Sequence, residues 1–381
     1  MSTSEKRPAG KTFLFTAILL LIFFVVIELI CSIFLYYTGS HEKLATIEVA
    51  RRFKAIVQGQ PNPVNVDHQN LVRPDSSEAV NRQIAEETHH SNKFVYQPWV
   101  EFRNIDFAGK YVNVHQSIRR SSPDHYFAPG STDTLEIYFF GGSTTFGFNI
   151  ADAETIPSQF VQLYKQKNPN GPSIRVSNYA TPTYYSYQEL IQFSTLVFKG
   201  HRPDLVIFLD GVNDFWFSNA SYYNQTYFSP VFRQVFEQRT GGSSRRYLDS
   251  TGLMFKDPEN IPATDYYQTL IEQYYRNIRN VNMMAEMIGA KSFFFCQPVP
   301  FYEYPNQQQD PICFKDTNTR FSYIYPVIEK DASRLPNFTF LGNLLRTEKG
   351  TPFVDGLHYS PAFIREITAV IYDRIFPGSS Q

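Results

Sequence analysis

Between residues 134 and 375, short apolar runs alternate with longer segments of helical pattern, and this alternation strongly limits the folds open to the chain. Continuous apolar strands separated by helices indicate a parallel sheet that is covered by helices on both faces. We therefore predict an α/β fold, a three-layer α/β/α sandwich. The predicted strands are 134–140, 173–178, 204–210, 291–296 and 337–341. The predicted helices are 153–167, 186–199, 264–289, 318–333 and 361–375.

A second feature is the apolar segment 13–37, in which Glu28 is the single charged residue. As a helix with a rise of 1.5 Å per residue it would span roughly 37 Å, enough to cross the core of a bilayer. Basic residues at positions 6, 7 and 11 precede it, which favours a cytoplasmic N-terminus. We expect an uncleaved, single-pass signal anchor that places the rest of the chain outside the cytoplasm.

The remaining sequence suggests further divisions. Residues 1–12 would form a cytoplasmic tail. Residues 38–93 would hold a short membrane-proximal helix at 40–58 and a polar, proline-punctuated linker over 59–93. Residues 94–381 would form the main domain. Within it, residues 94–130 read as a strand-like N-terminal extension that packs on the sandwich, and residues 215–262 as a long insert after the third strand.

Composition excludes some classes of function and leaves others open. The 35 basic and 36 acidic side chains nearly balance, which argues against a nucleic-acid-binding surface. The 35 Phe and 25 Tyr residues favour a large aromatic core over a sugar-stacking cleft. The chain has no CxxC pair, and His89 and His90 lack a third ligand at suitable spacing, so no metal site is expected.

Some covalent features remain open at this point. Free thiols at Cys296 and Cys313 are favoured over a disulfide between them. Asn-x-Ser/Thr triplets at Asn219, Asn224 and Asn337 matter only in a host that glycosylates asparagine.

The first predicted strand runs directly into the loop GGSTTFG, residues 141–147. A phosphate-binding Walker loop would need Lys and Ser/Thr where Phe148 and Asn149 stand. The elbow GxSxG also fails, because Thr145 occupies its last glycine position. A nucleophile turn remains, in which Gly142 lets the chain bend and Ser143 begins a helix whose N–H groups can stabilise an oxyanion.

A serine nucleophile needs a base, and His358 is the best candidate among eight histidines because Asp355 precedes it by three residues. In a tight turn Asp355 can accept the Nδ1 proton of His358, which leaves Nε2 free to take the serine proton. The alternative is that DGLH is only the loop before a helix, since Ser360 and Pro361 form a typical helix start.

Two further loops follow predicted strands. Thr183 lies in the polar segment SNYATPTYYSYQEL after the second strand, and Asn213 and Asp214 lie in DGVND after the third. Because ligands bind outside the carboxyl ends of parallel strands, we expect these loops to converge with Ser143 at one edge of the sheet. There the Asn213 side chain can act as a donor and Asp214 can brace the loop.

Together these four pieces resemble the SGNH/GDSL hydrolase family in their order along roughly residues 94–376. The corresponding blocks here are FFGGSTTFG, NYATPTYYSYQEL, DGVND and the DxxH of Asp355 and His358. The resemblance implies a flavodoxin-like sheet, Ser143 as nucleophile, and His358 as base oriented by Asp355. It also implies an oxyanion hole made of the Ser143 N–H, the Thr183 N–H and the Asn213 amide, supported by Gly142 and Asp214.

The chain departs from the family pattern at Thr183, where the family usually has glycine; a backbone N–H survives this change, but the added side chain puts the substrate size in question. The resemblance implies a membrane-anchored serine esterase or deacylase without a cofactor, acting on an O-acylated glycan or lipid. An O-acetyltransferase of a cell-surface or exported polysaccharide is a second hypothesis. A non-catalytic membrane-tethered scaffold is the third.

Overall fold

The computed structural model describes residues 15–16, 19–27, 71, 73, 76–216, 263–307, 310, 312–313, 320–348 and 350–378. The chain divides into two compact units, Met1–Val66 and Asp67–Gln381. In the first unit, residues 15–16 and 19–27 are helical, and their apolar side chains are exposed. No helix within the described ranges is long and apolar enough to cross a membrane. The rest of the predicted anchor 13–37, the tail 1–12 and the helix at 40–58 lie outside the described residues.

The second unit begins with short elements and continues as an alternation of strands and helices. Its N-terminal elements are α1 (Glu78–Ser91), β1 (Phe94–Gln97), β2 (Glu101–Asn104), β3 (Phe107–Ala108), β4 (Asn113–His115), β5 (Ile118–Arg119) and β6 (His125–Tyr126). The next elements are β7 (Thr134–Gly141), α2 (Ser143–Phe146), α3 (Ile156–Lys167), β8 (Ser173–Asn178), α4 (Ser186–Phe198), β9 (Leu205–Asp210) and α5 (Val212–Trp216). The last are α6 (Ala263–Met287), β10 (Lys291–Cys296), α7 (Arg320–Asp331), β11 (Phe338–Phe340) and α8 (Pro361–Ile375).

The central sheet is mixed and mostly parallel. Its five central strands run in the order β11-β10-β9-β7-β8, and every neighbouring pair among them is parallel. Numbered along the chain, this is the 2-1-3-4-5 order of flavodoxin-like sheets. The short strands β3, β4 and β5 extend the β8 edge antiparallel, and β6 also pairs with β8. The five strands predicted from apolar runs are confirmed, and part of the N-terminal extension joins their sheet.

Helices cover both faces of the sheet because successive strand residues point to opposite sides. Tyr138 and Phe140 pack in one core with α4, α6 and α7, whereas Ile137 and Phe139 pack in another with α3 and α8. The predicted three-layer arrangement is therefore present. The predicted helix 153–167 begins instead as a 3-10 turn, Asp152–Glu154, followed by α3 with Thr155 as its N-cap.

The prediction of a linker over residues 59–93 is wrong for its C-terminal part, where α1 forms. Ser77 caps this helix by accepting a hydrogen bond from the Val80 N–H. The Glu87 carboxylate accepts from the N–H groups of Tyr111 at 2.7 Å and Val112 at 2.9 Å. Buried Ile84 and Ala85 complete the contact face. This mainly polar helix is held by side-chain-to-backbone bonds from distant segments, which local composition does not reveal.

Two other predictions concern the cysteines and the insert after the third strand. Cys296 and Cys313 are both buried free thiols, as favoured from the sequence. Phe215 and Trp216, the first two residues of the insert predicted at 215–262, belong to α5. The rest of the predicted insert, residues 217–262 with Asn219 and Asn224, lies outside the described residues.

Candidate active site

Ser143 is presented by a sharp strand-to-helix turn at the carboxyl end of β7. Gly142 is the N-cap of α2, and Ser143 is its first residue. A β-carbon on Gly142 would collide with the Asn213 side-chain nitrogen, so only glycine allows this close approach. The helix ends after one turn at Gly147, whose φ of +84° is a left-handed conformation that glycine adopts without strain.

His358 and Asp355 form a continuous hydrogen-bonded chain with Ser143. The His358 Nε2 lies 2.8 Å from the Ser143 Oγ, although the two residues are 215 positions apart in sequence. On the other side of the ring, the His358 Nδ1 lies 2.8 Å from Asp355 Oδ2 and 2.9 Å from Oδ1. This geometry assigns Nδ1 as the donor to the carboxylate, and Nε2 as the acceptor of the serine proton.

Asp355 is held in the ionised form that this chain requires. Burial by itself would raise the pKa of Asp355, but the neighbouring charge and hydrogen bond of His358 lower it, as do two backbone N–H groups. These N–H groups belong to Leu357, at 2.9 Å, and His358, at 2.8 Å. The net effect is a pKa below the ordinary value, so the carboxylate stays charged beside the imidazole at neutral pH.

Two residues of the site, Phe148 and Asn149, were not anticipated from the sequence. The Asn149 Nδ2 donates to Asp355 Oδ2 at 2.7 Å, on the oxygen that also faces His358. Asn149 has a φ of +61°, a left-handed conformation that asparagine tolerates better than most residues. The Phe148 ring stacks on the His358 ring, with centroids 4.7 Å apart and planes inclined by 26°. In the sequence these two residues exclude a Walker motif, but no local pattern indicates their contacts with His358 and Asp355.

Asn213 and Thr183 approach Ser143 from the neighbouring strand ends. The Asn213 Nδ2 donates to the Tyr184 carbonyl oxygen at 2.6 Å, which uses one of its two hydrogens and leaves the other for a ligand. Thr183 has a φ of +68°, and no backbone carbonyl within the described ranges accepts its N–H. Both loops lie beside Gly141 and Gly142, which precede Ser143, and the oxyanion-hole roles of Thr183 and Asn213 stay predictions.

Asp214 joins the two loops that carry these donors. Its carboxylate accepts hydrogen bonds from the hydroxyl and the backbone N–H of Ser186, the first residue of α4. Asn277 of α6 donates to the same hydroxyl at 2.9 Å. All three side chains are buried, so the strand end that carries Asn213 is tied to the helix that follows Thr183. The contact is the kind expected of a bracing residue, and the role of Asp214 in the site stays a prediction.

Beneath the same loops lies a pair of fully enclosed carboxyl groups, Asp210 and Glu189. Burial, together with the charge of Asp214, raises the pKa of Asp210 to about 8 despite its hydrogen bond with Glu189. Burial likewise raises the pKa of Glu189, assisted by the charge and hydrogen bond of Asp210. The pair therefore retains at least one proton at neutral pH, since two buried carboxylates in contact repel each other.

Within the described residues, no group of three or more His, Cys, Asp and Glu side chains could hold a metal ion. The site just described uses a hydroxyl, an imidazole, a carboxylate and amide donors, a set suited to acyl transfer through a serine.

No family model matches the chain, and no curated protein matches it. Among solved structures, a lipase/acylhydrolase from Enterococcus faecalis is 16% identical, covering 65% of this chain and 99% of its own, with a TM-score of 0.38. The acetylxylan esterase Axe2 from Geobacillus stearothermophilus is 14% identical, covering 66% and 98%, with a TM-score of 0.37. A "putative lipolytic protein of G-D-S-L family" from Desulfitobacterium hafniense DCB-2 is 10% identical, covering 63% of this chain and 99% of its own, with a TM-score of 0.36.

Proposed function

We propose that this protein is a serine esterase that removes an O-acyl group from its substrate through an acyl-serine intermediate. The observation that carries the proposal is the hydrogen-bonded chain from Asp355 through His358 to the Ser143 Oγ, with 2.8 Å at its last link. A non-catalytic scaffold would gain nothing from aligning three residues of two distant segments in one hydrogen-bonded chain. This observation favours an enzyme over the non-catalytic alternative.

In the proposed reaction, the Ser143 Oγ attacks the ester carbonyl carbon while His358 Nε2 takes the hydroxyl proton. The carbonyl oxygen becomes an oxyanion, which the N–H groups of Ser143 and Thr183 and the free amide hydrogen of Asn213 would stabilise. The tetrahedral intermediate collapses as His358 gives its proton to the leaving alkoxide, which departs as an alcohol. Water, deprotonated by His358, then attacks the acyl-serine, releases the carboxylic acid and restores the hydroxyl.

A fluorophosphonate probe tests this proposal, because it forms a covalent bond with an activated serine irrespective of the natural substrate. We expect the wild-type protein to be labelled, and Ser143→Ala to abolish labelling. Ser194→Ala is the matched control, since the Ser194 hydroxyl donates to the Leu190 carbonyl oxygen of its own helix at 2.6 Å and takes no part in the proposed site. A folded wild-type protein that takes up no probe would show that the hydroxyl is not activated, and the proposal would fail.

For the substrate we propose an O-acylated glycan or lipid close to a membrane, supported by the apolar segment 13–37 that precedes the catalytic unit. Incubation with an acetylated oligosaccharide and isotopically labelled water measures the reaction directly. A hydrolase incorporates the label into acetate, whereas a transferase moves the acetyl group onto an added acceptor oligosaccharide. We expect label in the acetate; acetylated acceptor without release of labelled acetate would support the O-acetyltransferase instead.

A further inference from the structure

Thr183 occupies a backbone position that a β-branched residue rarely adopts. The Tyr184 N–H donates to the Thr181 carbonyl oxygen at 3.1 Å, which closes a four-residue turn with Pro182 second and Thr183 third. Proline at the second position and a φ of +68° at the third are the features of a type II turn, whose third position favours glycine or asparagine. Threonine destabilises this turn relative to glycine, because its branched β-carbon crowds the left-handed backbone.

The turn is fastened at both ends to the candidate active site. The Thr181 N–H donates to the carbonyl oxygen of Gly141 at 3.1 Å, and the Tyr184 carbonyl oxygen accepts from Asn213 at 2.6 Å. A β-carbon added to Gly142 would lie 3.1 Å from that same Tyr184 oxygen. The turn therefore lies at the rim of the site, with Tyr184, the residue after Thr183, beside the glycine that precedes the nucleophile.

The hydroxyl of Thr183 does not offset the unfavourable backbone. Its Oγ1 is buried and has no hydrogen-bond partner among the described residues, whereas the residue as a whole remains partly exposed. The exposed part is therefore carbon and backbone rather than the hydroxyl. Strain without a compensating bond is typical of a position that acts on a ligand rather than on stability.

Whether Thr183 can contact the leaving group or the acyl group of a substrate depends on the side of Ser143 on which it lies. His358 reaches Ser143 from the side of Phe148, which stacks on its ring. The turn of Thr183 instead reaches the site through Gly141 and Asn213. The leaving alkoxide must be near His358, which protonates it. In the tetrahedral intermediate the oxyanion would face the N–H groups of Ser143 and Thr183, so the acyl substituent would take the one direction left by Oγ, the oxyanion and the leaving group. The Thr183 side chain, which is borne next to an N–H that contacts the oxyanion, would then be a neighbour of the acyl substituent.

We propose that Thr183 is a specificity-determining residue, whose β-carbon and methyl group close the acyl side of the site and restrict the acyl group to acetyl. This inference rests on the proposed function, since it assumes that Ser143 is acylated. Longer acyl chains would meet the threonine carbons at the rim. Acetyl, with a single methyl beyond the carbonyl, would fit beneath them.

The test compares the rates at which full-length wild-type and variant proteins react with a methyl and an octyl fluorophosphonate. Because both probes react once with Ser143, their rate ratio does not depend on whether the natural acceptor is water or an alcohol. We expect Thr183→Gly to raise the octyl-to-methyl ratio at least about tenfold, the effect of opening room for a methylene in an apolar pocket. Thr183→Ser removes only the methyl group and should raise the ratio by less.

Thr183→Val is the matched control, because it keeps the branched shape without the hydroxyl and should keep the wild-type ratio. Thermal melting follows folding, and relief of strain alone would raise the melting temperature of Thr183→Gly without changing the ratio. A labelled Thr183→Gly protein with the wild-type ratio overturns the role of Thr183 and leaves the proposed function standing. A wild-type protein that reacts with neither probe overturns both.

Discussion

At the residue scale, the catalytic chain depends on contacts that hold the imidazole and carboxylate in place. Asp355 receives hydrogen bonds from Leu357, His358 and Asn149, and the His358 ring is covered by Phe148. Because Phe148 and Asn149 directly follow the nucleophile turn, one short segment supplies both the nucleophile and the support for its base. Residues 142–149 therefore act as a single structural unit.

Asn149→Gly should lower kcat by roughly 10- to 150-fold and leave KM unchanged, because it removes a hydrogen bond to a charged group, worth about 1.5–3 kcal/mol, while glycine still allows the φ of +61°. Steady-state kinetics on an acetyl ester measures both constants. Asn149→Ala loses the same bond and also strains the backbone, so it should melt at a lower temperature than Asn149→Gly. Wild-type kcat in Asn149→Gly would show that Asp355 needs no such support.

At the element scale, the site is built by the loops after β7, β8 and β9 and by the loop before α8. Helix α4 connects the loops after β8 and β9. Asp214, after β9, bonds the first residue of α4, and the enclosed Asp210–Glu189 pair lies between β9 and the same helix. The loops that carry Asn213 and Thr183 are therefore fixed to one another through buried carboxyl groups. Such an arrangement holds the donors, but it makes the fold sensitive to pH.

Stability should fall as the pH rises toward about 8, because Asp210 keeps its proton in the folded protein but loses it near its ordinary pKa when unfolded. The raised folded pKa means that this contribution is fully present in acid and is lost as pH rises through the folded value. Asp210→Asn removes the titration of this carboxyl group. The variant should therefore be more stable than wild type at pH 8, and its free energy of unfolding should depend less on pH. Urea unfolding between pH 5 and 9 measures this; parallel wild-type and variant curves would contradict it.

At the scale of the whole molecule, the residues of the catalytic chain all lie in the unit Asp67–Gln381, and the apolar segment 13–37 lies in the unit Met1–Val66. We propose that the first unit tethers the second to a membrane, with the N-terminus in the cytoplasm and the catalytic unit outside it. The support is the length of the apolar segment and the basic residues before it. Tethering would keep the enzyme near acylated glycans or lipids.

Deletion of residues 1–66 should move the protein from a carbonate-resistant membrane fraction to the soluble fraction, because it removes the apolar segment. Fluorophosphonate labelling of the shortened protein should persist, since the site residues are retained. Protease added to the non-cytoplasmic face of the membrane, in spheroplasts or right-side-out vesicles, should degrade the catalytic unit of the full-length protein. Full-length protein that carbonate extracts would disprove the tether, and protection from external protease would reverse the proposed orientation.

The sequence by itself determined the alternation of central strands and helices, because buried parallel strands need continuous apolar runs and helices need their own periodicity. It also singled out Ser143, Thr183, Asn213, Asp214, Asp355 and His358, since chain order and sheet geometry send their loops to one edge. These are properties of short stretches, and a local pattern is enough to recognise them.

Only the tertiary structure decided which groups touch. Asn149 meets Asp355 across 206 positions, and α1 is held by backbone groups of a different segment, so neither contact leaves a local signature. The left-handed Thr183 and the raised pKa values of Asp210 and Glu189 also depend on neighbours brought together by folding. The physical reason is that backbone strain, burial and charge coupling are set by the three-dimensional surroundings, and residue identity alone does not specify them.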